Sequence, residues 1–368
     1  VAEYLAKNKS EAAKFIAKRA KALGADDLLP DTPDFNKALK EVAMRVPAKT
    51  IAIDDEELEE AEIKREIELE ERREREAVEQ AEMEKKQAQK KKLREGNGFI
   101  AALDQSGGST PKALNLYGIE AGSWRDETEM FDLVHQMRCR IIQSPSFGGD
   151  KILGAILFEQ TMEREVEDLH TADFLWEKKE IVPFLKVDKG LEENLGGMQF
   201  MKPISDLDGV LSKASSFGIF GTKMRSVIHA SDSAGIAEIV AQQFDVGRRI
   251  LSMHLTPIIE PEIDIHCSDK PNAESILKAC LLDELNKHDS QEIILKLTLP
   301  EDKDFYNELI SHPRVMRVVA LSGGYPRDEA NRRLSNQKAM IASFSRALTE
   351  GLLVNLSEES FEDVLSQS

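Results

Sequence analysis

Three segments in the middle of the chain share one pattern: VPFLKVD at residues 182–188, IFGTKMR at 219–225 and TPIIEPE at 256–262. Each is a short apolar run of strand-favouring residues that ends in charged side chains. Five further runs have the same character, namely FIAALD (99–104), ILGAILF (152–158), EIILKLT (292–298), VMRVVALS (315–322) and MIASFSR (340–346). Most of the runs are separated by about 30 residues, which is the length of one strand-and-helix unit.

Eight such units predict an α/β fold of the (β/α)8 TIM barrel type, because eight parallel strands fit into a chain of this length. The widest gap between runs, residues 105–151, leaves room for an extra helix. The rival fold is an open doubly wound sheet, which usually has a GxGxxG turn after its first strand. Here that turn reads DQSGGS (104–109), which favours the barrel.

The residues before the barrel have a different composition. Residues 1–50 predict two short amphipathic helices, and residues 54–95 form a charge block, acidic first and basic last. Because its apolar residues keep no sustained heptad, we expect a solvated single helix, with a coiled coil or disorder as alternatives. The predicted domains are therefore a helical, highly charged extension at 1–92 and the barrel at 93–368. Helical charge blocks often contact partners, so the extension is a candidate for partner binding.

Overall charge and cysteine content limit the class of protein. The net charge of −18 argues against nucleic acid or an anionic membrane as a partner, and no apolar run is long enough to span a bilayer. The three cysteines have no CxxC spacing, which is typical of a reducing compartment. We expect a cytoplasmic protein. If a targeting peptide was removed before Val1, the expected location is instead an organelle stroma, such as that of a plastid.

Charged residues at the strand ends are the candidate site. In a strand, residues i and i+2 point to the same side, so Lys186 and Asp188 face together, and so do Glu260 and Glu262. A lone strand lysine is usually an edge residue that reaches solvent, but several strands repeat the pattern. Such side chains would converge at the C-terminal mouth of a barrel. The converging set is Asp104, Lys186, Asp188, Lys223, Arg225, Glu260, Glu262, Lys296, Ser322 and Arg346.

Lys296 is the candidate nucleophile. It lies among isoleucines and leucines, and its neighbours Lys186 and Lys223 are cationic, so its charged form is disfavoured. A neutral amine attacks a carbonyl to form an iminium, which withdraws electrons during carbon–carbon cleavage. Glu260 is the candidate proton shuttle.

Two glycine-containing loops are candidate phosphate sites. Ser322, Gly323 and Gly324 offer backbone N–H groups, and Arg346 offers a guanidinium. Ser106 and Ser109 flank Gly107 and Gly108 in the other loop. Taken singly, each glycine pair could be an ordinary turn. Together with a Schiff-base lysine, two phosphate sites predict a bisphosphorylated keto-sugar. The histidines form no HxxH or HExxH pattern, so we expect no metal and no cofactor.

These motifs resemble the class I fructose-bisphosphate aldolases, in particular the bacterial-type branch, over roughly residues 93–350. The matching segments are FIAALDQSGGSTPKAL, ILGAILFEQTM, VPFLKVDKG, FGTKMRS, PIIEPEI, ILKLTLP, RVVALSGGY and IASFSRAL. Three positions depart from the family pattern. Gln105 replaces the glutamate common in the animal branch, Ser345 replaces a glycine before the arginine, and Ser368 is the last residue where the animal enzymes have a terminal tyrosine. The last difference argues against the tail-gated proton transfer of the animal enzymes.

The resemblance implies a role for each candidate residue. Lys296 matches the Schiff-base lysine, Glu260 the general acid/base with Glu262 beside it, Asp104 the aspartate that assists bond cleavage, and Lys223 the lysine of the carbinolamine steps. The remaining residues match substrate and phosphate contacts: Lys186, Arg225, Ser322, Gly323, Gly324, Arg346, Ser106 and Ser109.

The expected activity is reversible cleavage of D-fructose 1,6-bisphosphate to dihydroxyacetone phosphate and glyceraldehyde 3-phosphate, with the family's usual homo-oligomeric state. One alternative is another Schiff-base barrel enzyme, such as a transaldolase or deoxyribose-phosphate aldolase, whose substrate needs only one phosphate site. The other is an aldolase-fold scaffold that acts through residues 1–92.

Overall fold

The computed structural model describes residues 55–106, 109–287, 291–344 and 349–367. The chain divides into two compact units, Val1–Ala81 and Glu82–Ser368. The helices predicted within residues 1–50 lie outside the described residues, as do Gly107, Gly108 and Arg346.

The charge block forms one long helix, α1 (Asp55–Glu95). Glutamate, lysine and arginine are strong helix formers, and i,i+4 pairs such as Arg72 with Glu76, 2.8 Å apart, add a little support. The side chains of residues 63–84 are exposed, as expected for a solvated helix. Since the second unit begins at Glu82, the last turns of α1 belong to the same unit as the barrel. The boundary between residues 92 and 93 stays a prediction.

Eight parallel strands form the nearly closed barrel that the sequence predicts. Neighbouring strands pair in chain order, and the last strand lies against the first. The strands are β1 (Phe99–Leu103), β2 (Ile152–Leu157), β3 (Val182–Lys186), β4 (Gly221–Ile228), β5 (Thr256–Ile263), β6 (Ile293–Thr298), β7 (Val315–Leu321) and β8 (Ile341–Ala342).

Helices follow the strands on the outside of the barrel. The gap between β1 and β2 holds two of them, α2 (Ser109–Leu116) and α3 (Glu127–Gln143), so the extra helix for which the sequence left room is present. Aspartates cap several helices; Asp126, for example, accepts a 2.9 Å hydrogen bond from the Glu129 N–H at the start of α3. The helices after α1 are α2 (Ser109–Leu116), α3 (Glu127–Gln143), α4 (Glu159–Met162), α5 (Thr171–Glu177), α6 (Leu207–Ser216), α7 (Ser233–Ser252), α8 (Lys270–Asn286), α9 (Asn307–Ile310), α10 (Arg327–Ser335) and α11 (Glu358–Ser366).

Short strands lie outside the barrel order. Glu165–Val166 and Leu169–His170 form a small antiparallel hairpin, and Met198–Gln199 pairs antiparallel with the end of β4. None of the described helices is long and apolar enough to cross a membrane.

The N-terminal end of the barrel is closed by the last turn of α1. Leu93 is 1% exposed and packs with residues near the strand beginnings, including Ile100 and Ile294. Arg317 donates hydrogen bonds to the Leu93 and Gly96 carbonyl oxygens, which holds this turn in place. Apolar side chains thus fill the N-terminal end of the barrel, and the polar residues that end the strands meet at the opposite, C-terminal end.

A buried ion pair stabilises the loops beside that C-terminal end. Lys270, at the start of α8, donates to Glu274, to the Leu299 carbonyl oxygen at 2.8 Å and to Glu301 at 3.1 Å. Glu301 also accepts a 3.2 Å hydrogen bond from the hydroxyl of Tyr325, the residue after Gly324. The network therefore connects the chain after β6 to the loop after β7.

We expect the Lys270→Met variant to lose about 3–5 kcal/mol of unfolding free energy, because Glu274 would remain buried and charged without its partner. Urea unfolding followed by circular dichroism measures this. A Lys270→Met, Glu274→Leu double variant removes both charges and should regain most of the loss. A double variant as unstable as the single one would contradict the explanation.

Candidate active site

The C-terminal ends of the strands surround a cavity of about 720 Å³. Side chains from β1 and from β3 to β8, or from the residues directly after them, line it. The residues from the strand ends are Ala102, Asp104, Lys186, Asp188, Lys223, Arg225, Glu260, Glu262, Lys296, Leu321, Ser322 and Ser343. Among the described residues, the charged side chains at the strand ends therefore meet at one cavity, as the sequence predicts.

At the centre of the cavity, two lysines and two carboxylates are in direct contact. The Lys223 Nζ lies 2.6 Å from Asp104 Oδ2 and 3.3 Å from Glu260 Oε2. The other oxygen of Glu260 lies 3.1 Å from Lys296 Nζ. Lys223, Glu260 and Lys296 are each less than 5% exposed. One carboxylate thus bridges two amines that water hardly reaches.

The protonation states of two of these groups follow from the contacts. Burial alone would raise the pKa of Asp104, but the charges of Lys223, Lys296 and Lys186 outweigh it and hold the pKa well below its usual range. Burial would lower the pKa of Lys223, but Asp104, Glu260 and Asp188 outweigh it and raise the pKa above its usual value. At neutral pH, Asp104 is therefore a carboxylate and Lys223 an ammonium ion.

Two further ion pairs lie at the wall of the cavity. The Lys186 Nζ lies 2.7 Å from Asp188 Oδ1 and also donates to the Asp188 carbonyl oxygen at 2.8 Å. The Arg225 Nε lies 2.6 Å from Glu262 Oε2. Burial lowers the pKa of Arg225, but the contact with Glu262 outweighs it and raises the pKa. All four of these residues belong to the converging set that the sequence predicted.

The backbone of Glu260 is held by a side chain from α7. The ladder between β5 and β6 ends at Ile259 and Leu295. Beyond this point the Glu260 N–H donates to Gln243 Oε1 at 2.8 Å, and Thr298 Oγ1 accepts from the Ile263 N–H at 2.9 Å. Glu260 and Lys296 therefore project where the two strands separate, and side chains replace the missing ladder bonds.

The loop after β7 has the backbone conformation expected of a glycine loop. Gly323 and Gly324 have φ angles of 59° and 112°, a region that other residues rarely adopt. A Cβ atom at Gly323 would also lie 2.8 Å from Ile265 Cγ2. Ser322, Gly323 and Gly324 all line the cavity. This turn is a suitable place for an anion to meet backbone N–H groups.

The loop after β1 borders the cavity on another side. Gln105 and Ser106 line it, and Lys112 of α2 lies in the same wall. Ser109 begins α2, but its side chain lies outside the described residues. The predicted phosphate contact of Arg346 also lies outside them and stays a prediction.

Several lining or supporting residues have no role that the sequence predicts: Lys112, Asp188, Gln243, Thr349 and Leu352. Asp188 was recognised at its strand end without a role. Lys112 follows the glycine loop at the start of a helix, a spacing that could have identified it. Gln243 carries no such signal, because its contact depends on how α7 packs against β5. Within the described parts of the chain, no group of three or more His, Cys, Asp or Glu side chains is placed to hold a metal ion.

Comparisons with known proteins agree with this geometry. The family model described as fructose-bisphosphate aldolase class-I matches residues 84–299. The class 1 fructose-bisphosphate aldolase of Porphyromonas gingivalis is 54% identical over 286 residues, which cover 78% of this chain and 97% of the relative. The class 1 enzyme of Synechocystis sp. is 55% identical over 287 residues, covering 78% and 96% of the two chains.

A solved structure supports the fold. A fructose-bisphosphate aldolase from Plasmodium falciparum, in a complex with TRAP and a small-molecule inhibitor, aligns with a TM-score of 0.61 and 21% identity, covering 78% of this chain and 92% of that one. The family match spans more than half of the chain and includes the strands that carry Asp104, Lys223, Glu260 and Lys296. The chain therefore belongs to the class I fructose-bisphosphate aldolases, the metal-independent lyases that cleave fructose 1,6-bisphosphate through a Schiff base.

Proposed function

We propose that Lys296 forms the Schiff base with the carbonyl carbon of fructose 1,6-bisphosphate, and that Glu260, Asp104 and Lys223 assist it. The observation that supports this assignment is the contact between Lys296 Nζ and Glu260 Oε1, 3.1 Å apart, inside the cavity at the barrel mouth. Carbinolamine formation and dehydration require an amine and, at hydrogen-bond distance from it, a carboxyl group that can accept and donate a proton.

The environments of the three cavity lysines favour Lys296 over the other two. Lys223 lies between two carboxylates and its pKa is raised, so it has no free electron pair for attack at neutral pH. Lys186 is held by both the side chain and the backbone carbonyl of Asp188. Lys296 has one carboxylate contact, and that contact is with the proposed proton shuttle.

In the forward reaction, the amine of Lys296 attacks carbon 2 in its unprotonated form, and the proton that the nitrogen then loses passes to the carbonyl oxygen to give the carbinolamine. Glu260 donates a second proton, with which this hydroxyl leaves as water. The resulting iminium withdraws electrons from the bond between carbons 3 and 4. Asp104 accepts the proton of the carbon 4 hydroxyl, the bond breaks, and glyceraldehyde 3-phosphate leaves. The proton held by Asp104 passes through the contacts of Lys223 to Glu260, which delivers it to the enamine carbon. Water then adds to the iminium, Glu260 takes up a proton from this water, and dihydroxyacetone phosphate leaves as the amine of Lys296 is restored.

Lys223 supports these steps as a fixed positive charge. It keeps Asp104 ionised and ready to accept a proton, and it stabilises negative charge that develops near Glu260. Arg225, Glu262 and Lys186 define the wall in which the sugar hydroxyls would bind. The two phosphates would occupy the ends of the cavity. The phosphate on carbon 1 would bind at Ser322, Gly323 and Gly324, with Arg346 beside it, and the phosphate on carbon 6 would bind at Ser106 and Ser109.

The direct test is reduction with borohydride in the presence of fructose 1,6-bisphosphate, followed by peptide mapping. We expect a single adduct on Lys296, no adduct without substrate, and full activity in EDTA. An adduct on Lys223 or Lys186 would reject the assignment of the nucleophile while leaving the aldolase activity intact.

We also propose that the enzyme is a homo-oligomer and that the segment before the barrel unit contributes partner contacts without taking part in catalysis. Two observations support this: the side chains of residues 63–84 of α1 are exposed, and all of the residues that line the cavity lie within Glu82–Ser368. Deleting residues 1–81 should leave turnover unchanged and alter the sedimentation of the assembly or its retention on a partner. A loss of turnover in the folded, truncated enzyme would tie the segment to catalysis instead.

A further inference from the structure

Helix α3 places a charged side chain in the interior that the proposed reaction steps do not use. Arg138 is 1% exposed, and it is the largest side chain among the completely buried ones of the described residues. Its neighbours on the buried face of α3, Val134, Met137 and Ile141, are apolar. Taking a charge out of water is strongly unfavourable, so an arginine at this position needs a physical reason.

The guanidinium of Arg138 forms a fork between the chain after β1 and the short helix α4. Its Nη1 donates to Thr161 Oγ1 at 2.6 Å, and its Nη2 donates to the Gln105 carbonyl oxygen at 2.7 Å. Thr161 belongs to α4 and is itself held, since its carbonyl oxygen accepts from Thr171 Oγ1 at 2.7 Å. The planar fork therefore fixes the chain after β1 against a second anchored segment.

Both of these acceptors are neutral, so they satisfy hydrogen bonds without cancelling the charge. Burial lowers the pKa of Arg138 to about 10, and the carboxylate of Asp104 counteracts this. The side chain is thus a cation at neutral pH, buried behind Gln105. Gln105 in turn connects Asp104 to Ser106, and all three of these residues line the cavity.

We propose that Arg138 is a positioning residue for the phosphate on carbon 6, and that it sets the preference for fructose 1,6-bisphosphate over fructose 1-phosphate. The fork holds the Gln105–Ser106 segment in the conformation that receives this phosphate, and the buried positive charge makes the site favourable for a dianion. Anion binding in turn offsets the unfavourable burial of the charge. The inference rests on the proposed function, in which this phosphate binds at Ser106.

The test compares kcat and KM for the two substrates in the wild-type enzyme, Arg138→Met and Arg138→Lys. We expect the ratio of kcat/KM for fructose 1,6-bisphosphate to that for fructose 1-phosphate to fall roughly tenfold or more in Arg138→Met, mainly through KM. Turnover of fructose 1-phosphate should stay close to wild type, because that substrate has no phosphate at this end. Arg138→Lys keeps the charge but cannot reach both acceptors, so its kcat/KM ratio should lie between those of the wild type and Arg138→Met.

Equal losses on both substrates, or a wild-type ratio in both variants, would overturn the proposal. Circular dichroism checks that the variants fold, and Arg138→Lys alone decides the question if Arg138→Met does not fold. As a second check, borohydride trapping with fructose 1-phosphate shows whether the variants still form the Schiff base on Lys296. Labelling of Lys296 in the wild type tests the proposed function independently, so a failure of one inference is not mistaken for a failure of the other.

Discussion

Replacement of Lys296 with methionine is expected to abolish cleavage of fructose 1,6-bisphosphate, with turnover reduced on the order of 10⁴-fold or more. Methionine has nearly the same length but no amine, so no covalent intermediate forms and the bond between carbons 3 and 4 has no electron sink. Steady-state assays of triose phosphate release measure the loss, and borohydride with substrate should leave residue 296 unlabelled.

The fold of this variant should be intact. Glu260 keeps its contact with Lys223 at 3.3 Å, so no carboxylate becomes buried without a partner. Lys303→Met, which changes an exposed lysine outside the cavity, is the matched control and should retain wild-type turnover. A folded Lys296→Met enzyme that still cleaves the substrate and still traps an adduct elsewhere would show that another lysine is the nucleophile.

The second large effect is expected for Asp104→Asn, which should slow cleavage by roughly 10²–10⁴-fold while Schiff-base formation continues. The amide is nearly the same size as the carboxylate but cannot accept the proton of the carbon 4 hydroxyl. Borohydride with dihydroxyacetone phosphate should therefore still label Lys296, because that adduct needs no cleavage step. Loss of labelling together with turnover would mean that Asp104 acts before the bond is broken.

The pH dependence of this effect follows from the direction of the pKa shift. Because the pKa of Asp104 is held below its usual range, the wild-type carboxylate is ionised throughout the range above about pH 5. The ratio of wild-type to Asp104→Asn turnover should thus stay constant from there to neutral pH. Asp302→Asn, an exposed control outside the cavity, should behave as wild type at every pH.

Much of the fold and of the central site could be predicted from residue order. The apolar runs alternate with helical segments at a nearly constant spacing, and a barrel is the arrangement that buries both faces of eight parallel strands. Because side chains alternate along a strand, Lys186 with Asp188 and Glu260 with Glu262 had to share faces. Together with the order of the strands, this alternation predicts that Lys223, Glu260 and Lys296 belong to one site.

Other parts of the site could not be predicted in this way, because they depend on contacts between elements far apart in sequence. Gln243 lies in a helix, and nothing local distinguishes it from other buried polar residues until α7 packs against β5. Arg138 likewise interrupts an apolar helix face, and its role depends on Thr161 in α4 and on Gln105 in the loop after β1. The closure of the barrel bottom by Leu93 was also missed, since the charge block extends without a break into the residues that pack there.

The sequence by itself determined the strand-and-helix repeat, the faces on which the charged residues lie, and the family, because these depend on periodicity and on motif order along the chain. Only the tertiary structure decided which amine touches which carboxylate, which lysine is kept as an ammonium ion, and which buried cation supports the loop after β1. Those properties depend on distances of about 3 Å and on exclusion of water, and both arise only when separate strands and helices pack together.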